Sequence, residues 1–337
     1  MERYGVSDPI KLASNENPLG PSPKALDAID AIKKAAHIYP DPDAVQLRKA
    51  AAAFFGCTAE QILAGNGSDE IIDLLCRAYI EPGDEVIIPA CTFSYYKIAA
   101  LACGARVITS GMKGQAIDSE DIMTRVSEGT KIIFVANPNN PTGTYLTKDE
   151  ISRLAQTVPE NTLLVIDEAY AAFVRQDDFL SATGLLQDHP HVVTIHTLSK
   201  SHGLAGMRVG FGVAHKTIME NLYRIKPPFN VNILALKAGE AALYDRDFLQ
   251  QTLENTWEGL DYLYTQIERL GLEYIPSQTN FVLIHIGKDA AEVYENLLKK
   301  GIITRSMASY GLDEFIRVSI GLPHENRAFI THLEEIL

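Results

Sequence analysis

Three polar residues each follow a short apolar run, and together they could do chemistry. Lys200 stands in Thr197-Leu198-Ser199-Lys200-Ser201-His202-Gly203, Asp167 closes the run that begins at Leu163, and Asn137 follows the run from Lys131 to Ala136. A neutral lysine amine can attack an aldehyde and later carry a proton between two carbons. An aspartate behind four apolar residues is costly to bury unless it is paired, and a pyridinium N–H is one such partner. The other reading of Asp167 is a cap on a strand-to-helix turn, and Lys200 taken singly could be a surface lysine. Read together, a Schiff-base lysine and an aspartate for a pyridinium nitrogen are what pyridoxal phosphate requires. The carboxyl ends of parallel strands, where open α/β sheets bind ligands, would bring them together.

Further residues fit an anionic, aromatic cofactor. Gly65-Asn66-Gly67-Ser68-Asp69 precedes a helical stretch. Glycines admit an anion closely, and a helix N-terminus offers free N–H groups and a favourable dipole, although a Gly-x-Gly is also an ordinary tight turn. Ser199 and Arg208 could add a hydroxyl and a planar guanidinium to the same phosphate. Phe93 could stack on a pyridine ring or be a core phenylalanine. Asn137 could reach the cofactor or serve a turn, and the second pair, Asn140-Pro141, reads as structural. Arg317, between Ile316 and Val318, needs an anion if its head is buried. Arg305 either joins it or is solvated. Asp188-His189-Pro190-His191 reads as a solvated loop between elements and not as a metal cluster, so no metal is expected.

In order along the chain, Asn15-Glu16-Asn17-Pro18, Tyr39-Pro40-Asp41-Pro42, Gly65-Asn66-Gly67-Ser68-Asp69-Glu70, Asn137-Pro138-Asn139-Asn140-Pro141-Thr142-Gly143, Asp167-Glu168-Ala169-Tyr170 and Ser199-Lys200 with Arg208 resemble the fold-type-I pyridoxal-phosphate aminotransferases. Within these the pattern is most similar to the histidinol-phosphate aminotransferases, over nearly the whole chain. The resemblance implies catalytic Lys200, Asp167 and Tyr170, with Tyr170 and Asn137 on the cofactor's phenolic oxygen. It also implies cofactor contacts from Gly67, Ser68, Asp69, Phe93, Ser199 and Arg208. Substrate would be held by Asn17, Asn137, Arg305 and Arg317. The family tyrosine that crosses a homodimer interface matches Tyr39, whose alternative is a locally packed loop residue. The implied reaction exchanges an amino group between L-histidinol phosphate and 2-oxoglutarate in histidine biosynthesis. An aromatic amino-acid transaminase and a threonine-phosphate decarboxylase share much of the pattern. An Asn-Pro bond in the 137–143 segment is expected to be cis. Ser201 and His202 depart from the family's commoner residues. Only ten residues precede Lys11, fewer than in the family, which implies a shorter arm across the dimer.

The elements needed to position these groups are legible. Short runs rich in Val and Ile at 61–64, 85–88, 106–109, 131–136, 163–167, 192–197 and 209–214 show little polar alternation, as strands covered on both faces do. Helical spacing over 68–79, 147–157 and between the other runs predicts an α/β fold around a mainly parallel seven-stranded sheet. Lys226-Pro227-Pro228-Phe229-Asn230 interrupts the pattern. Beyond it, a helix from about 247 to 270, a strand at 280–286, a helix at 290–300, a strand at 315–320 and a helix from 325 predict a smaller α+β domain. The expected division is 31–229 for the large domain, and 1–30 with 230–337 for the small one.

At 337 residues the chain can bury a large core, and apolar residues make up 46% of it. A net charge of −13 argues against a nucleic-acid partner and against a regulatory domain fused to a DNA-binding module. The start lacks a secretory signal and no apolar stretch is long enough for a bilayer. The four cysteines form no C-x-x-C pair, so a cytoplasmic protein with reduced thiols is expected. A nicotinamide fingerprint fails at Glu70, where a third glycine would be needed.

Overall fold

The computed structural model describes residues 8–287 and 290–337. Seven strands form the central sheet: β1 (Ile62–Asn66), β2 (Glu85–Pro89), β3 (Arg106–Ser110), β4 (Thr130–Ala136), β5 (Leu163–Asp167), β6 (Val192–Thr197) and β7 (Val209–Ala214). Their spatial order is β1-β7-β6-β5-β4-β2-β3. β7 alone is antiparallel to its neighbours, and the rest pair in parallel. Each predicted run is a strand, with ends shifted by a residue or two.

Both faces of this sheet are covered. Along β4, Ile133 and Val135 join one buried cluster while Ile132, Phe134 and Ala136 join the other. Successive side chains point to opposite faces, so continuous apolar runs are what a two-sided core demands. Helix α1 (Ser68–Tyr79) begins after Gly67 at φ 83°, with Asp69 and Glu70 in its first turn and Arg77 in its last, which complements the helix dipole. The helix Lys148–Thr157 is closed at its N-terminus by Thr147 and Glu150 in a reciprocal capping box. Helix α2 (Tyr95–Ala102) follows β2 and buries Tyr96, Ala99 and Ala100.

A second sheet contains Glu273–Ile275, Phe281–His285, Phe315–Ser319 and Arg305–Ser306 in that spatial order, all antiparallel. With α3 (Arg246–Arg269) it encloses a separate core that includes Leu12, Leu260, Ile284, Val318 and Phe329. Ile10–Lys11 pairs in parallel with Ile302–Ile303, which ties the start of the described chain to this unit. The core membership departs from the expected division of the chain. Ala25 of Pro23–Ile32 and Ala235, Ala238 and Ala242 of Ile233–Leu243 pack with Ile62 and Val209 of the central sheet. We therefore propose a larger unit that takes in both helices.

Candidate active site

The carboxyl edge of the central sheet faces the second sheet across a cavity of about 390 Å³. Asp167 is the last residue of β5, and Lys200 lies in the turn after β6. Because β7 runs antiparallel, its start lies at the same edge: Val209 pairs with Asn66, and Gly210 with Thr197. Arg208, just before β7, is thereby brought over the N-terminus of α1. Arg208 itself has φ 60°, and a Cβ on Gly67 would meet its guanidinium at 2.6 Å. Gly67 has φ 83°, a backbone angle that favours glycine, and an added Cβ would also push the Arg208 guanidinium aside.

The cavity brings together Ser68, Asp69, Phe93, Asp167, Tyr170, Ser199, Lys200, Arg208, Arg305 and Arg317. Lys200 Nζ donates to the Ser14 carbonyl at 3.1 Å and lies 5.9 Å from the centre of the Tyr170 ring. Tyr170 is buried, its hydroxyl accepts from Asn15 Nδ2 at 2.9 Å, and its ring meets Phe281 edge-on. Asp167 is 6% exposed, and burial pushes its carboxyl up to about 6. It accepts hydrogen bonds from the Tyr96 hydroxyl (2.7 Å) and the Ala169 N–H (3.0 Å). Among the described residues it makes no ion pair. A buried carboxylate with acceptor capacity left over suits one more donor, preferably cationic.

Anion-binding capacity is present at both ends. Near β1, Arg208 and the amino end of α1 frame one pocket, where Arg208 pairs with Asp69 at 3.1 Å. Near the second sheet, Arg305 and Arg317 stand opposite one another in adjacent antiparallel strands. Arg317 is 7% exposed, donates to Asn140 Oδ1 and the Ala13 carbonyl, and keeps a buried Nε without a partner. Desolvation, with a smaller contribution from Arg305, holds its guanidinium below the usual range. Among the described residues neither arginine makes an ion pair, so an anion between them would relieve both repulsion and desolvation.

Four expectations need correction. Asn137 is fully buried, and its side chain is used by the backbone of Leu146, to which it both donates and accepts. Asn140, read from the sequence as structural, lines the cavity and contacts Arg317. Asn17 bonds to Thr252 Oγ1 and the Ser201 carbonyl outside the cavity, while Asn15 and Glu16 line it. His191 is buried, not solvated. Both Asn137-Pro138 and Asn140-Pro141 are cis. His202 is buried against Phe54 and Ser201, and burial drives its imidazole down to about 4. Tyr39 is 79% exposed, stacked on Phe229, and does not line its own chain's cavity. All four cysteines are free, and among the described residues no helix is long and apolar enough to cross a membrane.

The family profile "Aminotransferase class I and II" matches residues 7–333. The chain belongs to this aminotransferase family. The aminotransferase is 42% identical to a histidinol-phosphate aminotransferase of Bdellovibrio bacteriovorus, over 100% of this chain and 92% of that protein. A relative of the same name from Moorella thermoacetica is 42% identical over 100% of this chain and 88% of its own. The crystal structure of histidinol-phosphate aminotransferase from Sinorhizobium meliloti, in complex with pyridoxal-5′-phosphate, superposes with a TM-score of 0.93 at 28% identity, covering 99% of this chain and 92% of that one. The enzyme from Clostridium acetobutylicum gives 0.90 at 26% identity, covering 97% and 98%. The fold of this aminotransferase is thus the fold-type-I architecture that the resemblance of its motifs implied, around the mainly parallel sheet expected from its strand pattern.

Proposed function

We propose that this enzyme exchanges the amino group between L-histidinol phosphate and 2-oxoglutarate in the cytoplasm, as a step of histidine biosynthesis, with pyridoxal 5′-phosphate as cofactor. The observation that carries the substrate reading is the facing Arg305–Arg317 pair in the cavity that also holds Lys200. A phosphate monoester is a dianion and can engage two guanidiniums, whereas the carboxylate of glutamate occupies the same place with one charge. The relatives' shared name supports the same reading.

The cavity fits the cofactor by its own chemistry. Asp167 is a buried acceptor for a pyridinium N–H, and the mouth of α1 with Ser199 and Arg208 fits a phosphate. Bound there, pyridoxal phosphate supplies an aldehyde to take the amino group and a protonated ring to draw electrons from the substrate carbon. Lys200 then holds the proton removed from that carbon and returns it, its amine steered by the Ser14 carbonyl and the Tyr170 face. Asn15 orients the Tyr170 hydroxyl. Phe93, which lines the cavity just before α2, would stack on the ring.

Half-reactions test the substrate assignment. Purified enzyme is mixed with histidinol phosphate, phenylalanine, tyrosine or phosphothreonine, and the absorbance of the bound cofactor is followed. Fastest conversion is expected with histidinol phosphate. A clear preference for phenylalanine or tyrosine would overturn the reading in favour of an aromatic transaminase, and decarboxylation of phosphothreonine would favour a decarboxylase. In the same assay Arg317→Ala should impair both histidinol phosphate and glutamate. Arg305→Ala should cost histidinol phosphate selectively, roughly tenfold to a hundredfold in kcat/KM, as expected for one charge-assisted hydrogen bond.

The active unit is a homodimer in this reading, with Tyr39 donated to the neighbour's cofactor phosphate. Support comes from its exposure beside exposed Ile38 and Phe229. Mixing Lys200→Ala chains with Tyr39→Phe chains should regenerate activity, because one site of each heterodimer then has both an intact lysine and the neighbour's intact tyrosine. If Tyr39 served its own chain, neither mixed site would be whole and no recovery would be seen.

A further inference from the structure

Tyr96 lines the cavity and has no part in the proposed reaction. It is wholly buried, in the first turn of α2. Its hydroxyl donates to Asp167 Oδ2 at 2.7 Å. Its ring lies parallel to Phe134 of β4 at 4.8 Å and 1°, and meets Phe93 edge-on at 5.5 Å and 84°. Two flat faces and a helical backbone leave the phenol little rotational freedom, so its single proton is aimed at one oxygen. The other carboxylate oxygen is fixed by the Ala169 N–H. A carboxylate has about four acceptor positions, so these two bonds orient it while leaving capacity toward the cavity it lines.

We propose that Tyr96 is a positioning residue for Asp167: its hydroxyl, clamped by Phe134 and Phe93, holds the carboxylate ionised and correctly turned before a pyridinium reaches it. The need for such a device follows from burial. Desolvation is the largest influence on Asp167 and favours its neutral form, and nearby Asp69 pushes the same way. Against this stand the Tyr96 hydroxyl, the Ala169 N–H and Lys200. Glu168, the next residue, is also buried and is itself pushed up to about 7. Tyr96 cannot compete for the charge, because burial and Asp167 raise its own phenol well above the usual tyrosine range, so it remains a donor. A neutral aspartic acid would offer the ring nitrogen neither a negative charge nor a reliable acceptor. Because Tyr96 also buttresses Phe93, one side chain links the group expected to pair with the ring nitrogen to the group expected to stack on the ring face.

The cofactor half of this inference rests on the reading of the cavity given above, whereas the Asp167 half does not. The test therefore begins on cofactor-free protein. The Asp167 protonation midpoint is followed by infrared titration of the carboxyl stretch, using Asp167→Asn to identify its band. Tyr96→Phe should move the midpoint upward. Replacing Tyr96 by 3-fluorotyrosine, a stronger donor of the same shape, should move it downward and guards against misfolding of the phenylalanine variant. Pyridoxal phosphate affinity, measured by fluorescence quenching, should weaken roughly tenfold or more in Tyr96→Phe, the size of a charge-assisted bond. Tyr95→Phe is the control. Its hydroxyl makes a like bond to Asp73 at 2.9 Å but Tyr95 does not line the cavity, so neither readout should change. An unmoved Asp167 midpoint in both Tyr96 variants would overturn the proposal. A moved midpoint with unchanged pyridoxal phosphate affinity would retain the Asp167 role and reject the cofactor assignment of this cavity.

Discussion

Lys200→Ala should abolish amino-group transfer. Among the described residues Lys200 is the only lysine that lines the cavity, and its Nζ is held 3.1 Å from the Ser14 carbonyl. The other basic side chains lining the cavity, Arg208, Arg305 and Arg317, are guanidiniums, a donor-only group that does not serve as a proton acceptor in proteins. A positioned acid–base group contributes up to about ten-thousand-fold, and here the same residue is also the nucleophile, so the loss should be at least that large. Cofactor should still bind through the phosphate pocket at α1. Single-turnover measurements with histidinol phosphate and with glutamate check this. Ordinary multiple turnover by the variant would reject the assignment of Lys200.

Asp167→Asn should lower the chemical step by roughly a hundredfold to a thousandfold, the usual cost of losing one preorganised electrostatic partner. Asparagine has nearly the same shape but no charge to hold a ring nitrogen protonated. The same substitution should have a pH-dependent effect of the opposite sign on the stability of the cofactor-free protein. The folded-state carboxyl is raised from 3.8 to about 6. A carboxyl raised on folding contributes stability that is fully present below its unfolded value and lost as pH climbs through the folded one. Wild type should therefore lose ground to Asp167→Asn between about pH 4 and 6, by on the order of 1–3 kcal/mol. The asparagine leaves either the Tyr96 donor or the Ala169 N–H less well served, which offsets a constant part of the gain but not its pH dependence. Denaturant titrations of both proteins across that range measure the difference. A flat difference would mean that Asp167 is not the buried, unpaired carboxylate described here. Activity and cofactor-free stability thus make opposing demands on this position, as expected of a binding group kept unpaired until its ligand arrives.

The sheet and several of the cavity's reactive residues could be read along the chain. The strand runs were legible because a strand covered on both faces can carry no polar alternation, and all but the edge strand β3, whose Arg106 and Thr109 are exposed, have that environment. Lys200, Asp167 and Arg208 were legible because they sit at fixed offsets from strand ends, where chain direction dictates which edge they reach. The helix Ile233–Leu243 was not identified, because its small apolar residues are buried on most sides and leave little amphipathic contrast. Which asparagines face the cavity depended on the folded packing. Asn15 displaces Asn17, and Asn140 displaces Asn137, because a loop has no period that relates position to direction. Each side chain turns toward whichever unpaired donor or acceptor the fold presents: Leu146 for Asn137, Arg317 for Asn140, Tyr170 for Asn15. The Tyr96–Asp167 bond spans 71 positions in the chain. Only the tertiary packing that seats Tyr96 on Phe134 of β4 brings that hydroxyl and that carboxylate together, and local sequence carries no record of it.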